Sequence, residues 1–149
     1  MIALPFTPYH LGPALLVGAL VQRLSLPVLL GFSVVLDVEP LLFGLVGSGF
    51  VHGLFHSYLG ASLVAIFGSA LILTLRRWLV SLLVFFRVPS ELSLGGVLPS
   101  ALLGVYSHVF LYSFLYPGMK PVLPLQENPL YLPALGPTIY ALCLCSFIL

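Results

Sequence analysis

Apolar residues run through this chain in long blocks, and short polar breaks separate them. Leu11 to Val21 is the first block; it is short for a membrane span and stops at Gln22-Arg23. A Ser25-Leu26-Pro27 turn leads into the second block, Pro27 to Val46, which is long enough to span. The third, Tyr58 to Leu75, carries no charge and stops at Arg76-Arg77-Trp78. The fourth runs from Leu94 to Tyr116, and the fifth from Leu130 to Leu149, with Pro133 and Pro137 expected to kink its first half. Leu79 to Phe86 is apolar but brief, and reads as an interfacial helix or one arm of a hairpin. The pattern predicts an all-α, polytopic membrane helix bundle of about five transmembrane helices, one domain over residues 1–149.

Composition strengthens this reading. Of 149 residues 60% are hydrophobic and 6% charged, against about 25% charged in an average soluble domain. Mean hydropathy is +1.19. A short soluble chain exposes much of its surface and needs charge there, so lipid is the expected surrounding. The formal net charge is +1 and no basic cluster marks a nucleic-acid partner. Met1 to Tyr9 contains no Lys or Arg and does not read as a cleaved targeting segment. Cys143 and Cys145, two apart on a helix, point to different sides and read as apolar fillers.

Against this background the polar residues inside the blocks stand out. His52 and His56 sit four apart, which on an α-helix aims both imidazoles from one face. Asp37 and Glu39 lie inside the second block, where each ionised carboxylate costs roughly 2.5–3.5 kcal/mol on insertion scales. Pro40 is expected to push Glu39 out of helical conformation and to break the helix there, turning both carboxylates toward one cavity. His108 lies in the fourth block, and His10 stands before the first.

Orientation ties these residues together. Arg76, Arg77 and Arg87 place the connection after the third block in the cytoplasm, by the positive-inside rule. The third helix then begins on the outer side, beside His52 and His56. The same alternation puts His10, Asp37, Glu39 and His108 in the outer half of the bilayer. Tyr9, Tyr106, Tyr112 and Tyr116 read as belt or packing aromatics, and Glu91 and Glu127 as solvated loop charges.

Several short motifs also carry a resemblance. Pro5-Phe6-Thr7-Pro8-Tyr9-His10, Asp37-Val38-Glu39-Pro40, His52-Gly53-Leu54-Phe55-His56-Ser57, and Tyr106-Ser107-His108 followed by Tyr116-Pro117 resemble, in order and spacing, the YdjM-like family. That family comprises inner-membrane proteins classed as metal-dependent hydrolases. The resemblance implies a multi-pass inner-membrane protein of that class. Family members usually carry an acidic residue four positions after the histidine of the fourth helix. Tyr112 stands there in this chain, which argues against a two-metal site.

Histidine and carboxylate donors suit zinc, with manganese or iron as the alternatives. His10, Asp37, His52, His56 and His108 are the candidate metal ligands, of which three or four would bind one ion. Glu39 is the candidate general base, or else an orienting carboxylate beside a ligand. An outer-leaflet site points to a lipid or lipid-linked (phospho)ester as substrate. Two other readings stand beside the hydrolase. One is a non-catalytic membrane subunit held together by a structural metal or polar cluster; the other is a proton or ion path built on Asp37 and Glu39.

Overall fold

The computed structural model describes residues 8–47, 53–88 and 92–148, and within them every regular element is helical. The α-helices are α1 (Leu11–Leu20), α2 (Leu26–Val34), α3 (Val38–Leu45), α4 (Tyr58–Thr74), α5 (Arg76–Phe85), α6 (Leu94–Leu115) and α7 (Gly136–Cys145).

Helix α6 is the centre of the bundle, buried along two stripes. Val97, Ala101, Val105 and Val109 recur every fourth residue and are fully buried. With Ala61 and Ala65 of α4 they belong to one continuous apolar core. The backbone N–H of Tyr58, at the start of α4, donates to Pro121 O just beyond α6 (2.9 Å), so α4 runs opposite to α6.

The second stripe is Ser100, Gly104, His108 and Tyr112, and it faces α2 in a fixed register. Ser25 N–H donates to Ser100 Oγ (2.8 Å), His108 Nδ1 to Ser33 O (2.7 Å) and Tyr112 OH to Asp37 Oδ1 (3.3 Å), each pair 75 residues apart in sequence. A constant separation at successive rungs means that the two segments run parallel. Gly104 supplies the remaining rung: a Cβ there would stand 2.8 Å from Leu29 O and 2.9 Å from Phe32 Cβ. Small residues at this seam let the two backbones approach, which is how helices associate when lipid gives no hydrophobic drive between them. Ser100 and Gly104 therefore form the contact surface that fixes the height of His108 against α2.

The second block forms one apolar path from Leu26 to Leu45, interrupted by a 3₁₀ turn at Val35–Asp37. The interruption falls ahead of the Glu39–Pro40 step expected from the sequence, and Glu39 itself is helical. Pro40 explains the shift. In an unbroken α-helix its ring would clash with the carbonyl four residues back, and it has no N–H to donate. Restarting the helix at Val38 puts Pro40 in the first turn of α3, where an N–H has no intrahelical partner anyway.

The path Leu26–Leu45 and helix α6 are each long and apolar enough to cross a membrane; α4 and α5 together make a third candidate, bent by 78° at their junction. Helix α1 and the stretch Pro133–Cys145 are shorter apolar helices, so among the described residues two or three of the about five expected spans are long and apolar enough to cross a membrane. The last block begins late: Pro133–Leu135 is a 3₁₀ turn and α7 starts only at Gly136, with Pro137 in its first turn. Cys143 is buried and Cys145 exposed, both as free thiols. Large apolar side chains face outward along α4 and α6, among them Leu63, Phe67, Leu71, Leu103 and Phe110.

Candidate metal centre

Three elements converge where α1 begins, where α2 gives way to α3, and about two-thirds of the way along α6. His10 ends a 3₁₀ turn, Pro8–His10, that leads into α1. Asp37 ends the 3₁₀ turn between α2 and α3. His108 stands on the α6 stripe that faces α2. One possible ligand atom from each of these three lies within 4.8 Å of the other two, and all three residues are buried. The His10 and His108 rings are 4.5 Å apart between centroids.

The ring of His108 is held in one tautomer. Its Nδ1 lies 2.7 Å from Ser33 O, and a carbonyl only accepts, so Nδ1 carries the proton. Ser33 O is available because it is among the last carbonyls of α2, which an ending helix leaves without intrahelical donors. In the neutral ring the lone pair is then on Nε2, 3.6 Å from Asp37 Oδ1. At that distance the two atoms are reconciled by a cation between them or by a proton on either the ring or the carboxyl group. Tyr112 stacks on His108, with ring centroids 4.4 Å apart, and its hydroxyl donates to the same Asp37 oxygen.

The donor set fits a divalent cation. Two imidazoles and a carboxylate are a common set for zinc and for non-haem iron. Two ligands at ordinary bond lengths on a tetrahedral zinc lie about 3.4 Å from each other. The 3.6 Å between His108 Nε2 and Asp37 Oδ1 matches that spacing closely. A histidine whose second nitrogen is fixed by a backbone carbonyl is the usual support for a metal-binding imidazole.

Glu39 and His56 form a second layer. Glu39 Oε2 accepts from Gly53 N–H (3.1 Å) and His56 Nδ1 (2.8 Å), and Oε1 accepts from Phe55 N–H (3.2 Å). One buried carboxylate thus holds the whole turn from Gly53 to His56. The fit is close enough that a Cβ on Gly53 would overlap the Glu39 carboxyl group. His56 is buried, and its ring lies 5.3 Å from that of His108 and 5.9 Å from that of Tyr112. It borders the cluster without joining the three whose ligand atoms are mutually close.

The helical face expected for His52 and His56 does not form at its His56 end. Leu54–His56 is a 3₁₀ turn, and α4 starts at Tyr58 with Ser57 as its N-cap, its side chain accepting from Gly60 N–H (3.1 Å). A serine here favours starting the helix rather than continuing one. His52 lies outside the described residues. Of the candidate ligands, then, His10, Asp37 and His108 are brought together, His56 stands beside them, and Glu39 supports His56.

Tyr112 is the residue that sequence reasoning assigned elsewhere. It reads as a packing aromatic, yet it is fully buried and hydrogen-bonded to a candidate ligand. Its spacing four residues beyond His108 reads in the sequence only as the place of an acidic residue in the resembling family; the same spacing puts it on the stripe that runs through Ser100 and Gly104, beside His108.

No family model, curated protein or solved structure matches this chain.

Proposed function

We propose that the chain is a polytopic inner-membrane protein whose buried His10–Asp37–His108 cluster binds one divalent cation, zinc by its donor chemistry, and serves as the centre of a hydrolase. The substrate class is a lipid or lipid-linked ester or phosphoester. The observation that carries this reading is the buried convergence of His10, Asp37 and His108, with the His108 ring oriented by Ser33 O and its Nε2 3.6 Å from Asp37 Oδ1. A divalent cation held there supplies Lewis acidity toward an ester oxygen and draws the pKa of water toward neutrality.

The chain's own residues divide the remaining work. Ser33 O fixes the His108 ring and Tyr112 OH holds Asp37. Glu39, engaged by three donors from the 53–56 turn, orients His56, a positioning role that suits its contacts better than that of a base. The short motifs that resemble the YdjM-like family point to the same reaction class.

Membrane embedding rests on the outward apolar faces and the two long apolar helices. In the five-span reading α4 crosses alone, since its 17 residues reach the lower end of the spanning range. Helices α2 and α6 run parallel, which agrees with the alternation inferred from Arg76, Arg77 and Arg87 and supports a cluster in the outer half of the bilayer.

One observation favours the non-catalytic reading. His10, Asp37 and His108 are only 5%, 2% and 0% exposed, as a structural ion site would be. Turnover separates the two readings. Purified protein is assayed against a panel of phospholipid and lipid-linked phosphoesters, with and without a chelator. Hydrolysis that the chelator abolishes, that zinc restores and that Asp37→Asn lacks is the expected result. Bound metal with no turnover on any panel member leaves the structural reading.

A further inference from the structure

Helix α5 is the part of the fold that the bundle does not use. Its ten residues contain no buried side chain, and it leaves α4 at 78°. If α4 crosses the bilayer, a helix at that angle lies nearly along the membrane surface. Only Leu79 and Leu83 lean against the core. Trp78, Leu82 and Phe85, at i, i+4 and i+7, share one face, and Trp78 and Phe85 are 80% and 78% exposed. Arg77 and Ser81 share the adjoining face, four residues apart.

Charge is concentrated here as well. Of the five Lys and Arg residues in the chain, Arg76, Arg77 and Arg87 bracket this one helix. All three are exposed, and no acidic residue lies between positions 76 and 88. Among the described residues no arginine pairs with a carboxylate; the ion pairs present involve histidines. Val84 is exposed too, on the face of Arg77, so α5 presents an aromatic face and further apolar surface with exposed arginines at its two ends, a composition suited to the headgroup region.

We propose that α5 is a binding surface for anionic phospholipid. Its arginines bind the phosphate groups, while Trp78, Leu82 and Phe85 enter the acyl boundary. This inference is independent of the metal centre and rests on the chain being embedded. Zwitterionic lipid would satisfy the apolar face and offers the same phosphate, but its choline cation cancels the net charge that attracts the arginines. Each basic residue near an anionic surface favours it by about fivefold.

Trp78 is the only tryptophan in the chain, so its fluorescence reports on α5 alone. The full chain is reconstituted into nanodiscs holding equal mole fractions of phosphatidylglycerol and phosphatidylcholine, with the acyl chains of one or the other brominated. Brominated phosphatidylglycerol is expected to quench Trp78 about twofold more than brominated phosphatidylcholine. The difference should vanish in Arg76→Gln/Arg77→Gln/Arg87→Gln, which keeps its fold because none of these side chains is buried. High salt should reduce it in the unaltered chain. Equal quenching by the two lipids would overturn the proposal, leaving an interfacial helix with no headgroup preference. Absence of quenching by either would also overturn it, since α5 would then face water or another protein chain.

Discussion

Glu39→Gln distinguishes a carboxylate that holds structure from one that moves protons. The side-chain volume is kept and the charge removed. In the native turn the two carboxylate oxygens accept from Gly53 N–H, Phe55 N–H and His56 Nδ1. Glutamine offers one carbonyl oxygen and one NH₂ group. With its oxygen placed toward Gly53 and His56, its NH₂ meets the Phe55 N–H, donor against donor. That lost bond, with a buried donor left unsatisfied, costs about 1–3 kcal/mol. The two surviving bonds lose their charge assistance, roughly half their strength, which adds about 1–2 kcal/mol together. Removing the buried charge offsets part of this loss, but the three donors already compensate that charge in the native turn, so the net destabilisation expected is about 1–3 kcal/mol, a fall of several degrees in unfolding midpoint for a chain of this size. Thermal unfolding in detergent, followed by helical circular dichroism, measures it, with the exposed loop substitution Glu127→Gln as the neutral control. Gly53→Ala should act in the same direction, because its methyl group would displace the same carboxyl group. An unchanged midpoint in Glu39→Gln would refute the positioning role. An unchanged midpoint together with a turnover loss of roughly 10²–10⁴ would restore the general-base role.

Tyr112→Phe keeps the ring stacked on His108 and removes only the hydroxyl that donates to Asp37, so it should cost about 1 kcal/mol in unfolding free energy. Gly104→Ala inserts a methyl group against the Leu29 carbonyl and Phe32, and should destabilise by about 1–3 kcal/mol while weakening metal retention, because it parts His108 from Ser33; metal analysis beside unfolding checks both. The Arg76–Glu91 connection should be cytoplasmic and the Pro117–Pro129 loop external, so Gln126→Cys should label from outside intact cells and Ser90→Cys should not, in a background without Cys143 and Cys145.

Much of the helical architecture is legible from the blocks of apolar residues, because the longest of them form helices long and apolar enough to cross a membrane. Helix α6 follows its block almost residue for residue. The departures come from local chemistry that hydropathy does not register. Pro133 and Pro137 leave the last block with a ten-residue helix, and Pro40 moves the break in the second block forward to Val35–Asp37. Ser57 starts α4 too late to carry His56, so the four-residue spacing of His52 and His56 does not describe a helix face there. The polar residues were found because carboxylates and imidazoles are costly inside apolar blocks. Tyr112 was not, since a tyrosine is at home in a membrane interface and its hydroxyl partner is 75 positions away in sequence. Ser100 and Gly104 are visible in the sequence as small residues four apart, but only the matching rungs on α2 reveal what they pack against.

Metal content tests the centre most directly. The unaltered chain, His108→Ala, Asp37→Asn and the loop control Glu127→Ala are purified with zinc present, checked for native helicity, dialysed and measured by elemental mass spectrometry. The cluster as described requires about one ion per chain in the unaltered protein and in Glu127→Ala, with most of it lost in His108→Ala and Asp37→Asn. Folded His108→Ala and Asp37→Asn proteins that keep the full metal content, or an unaltered chain that retains none, would contradict it.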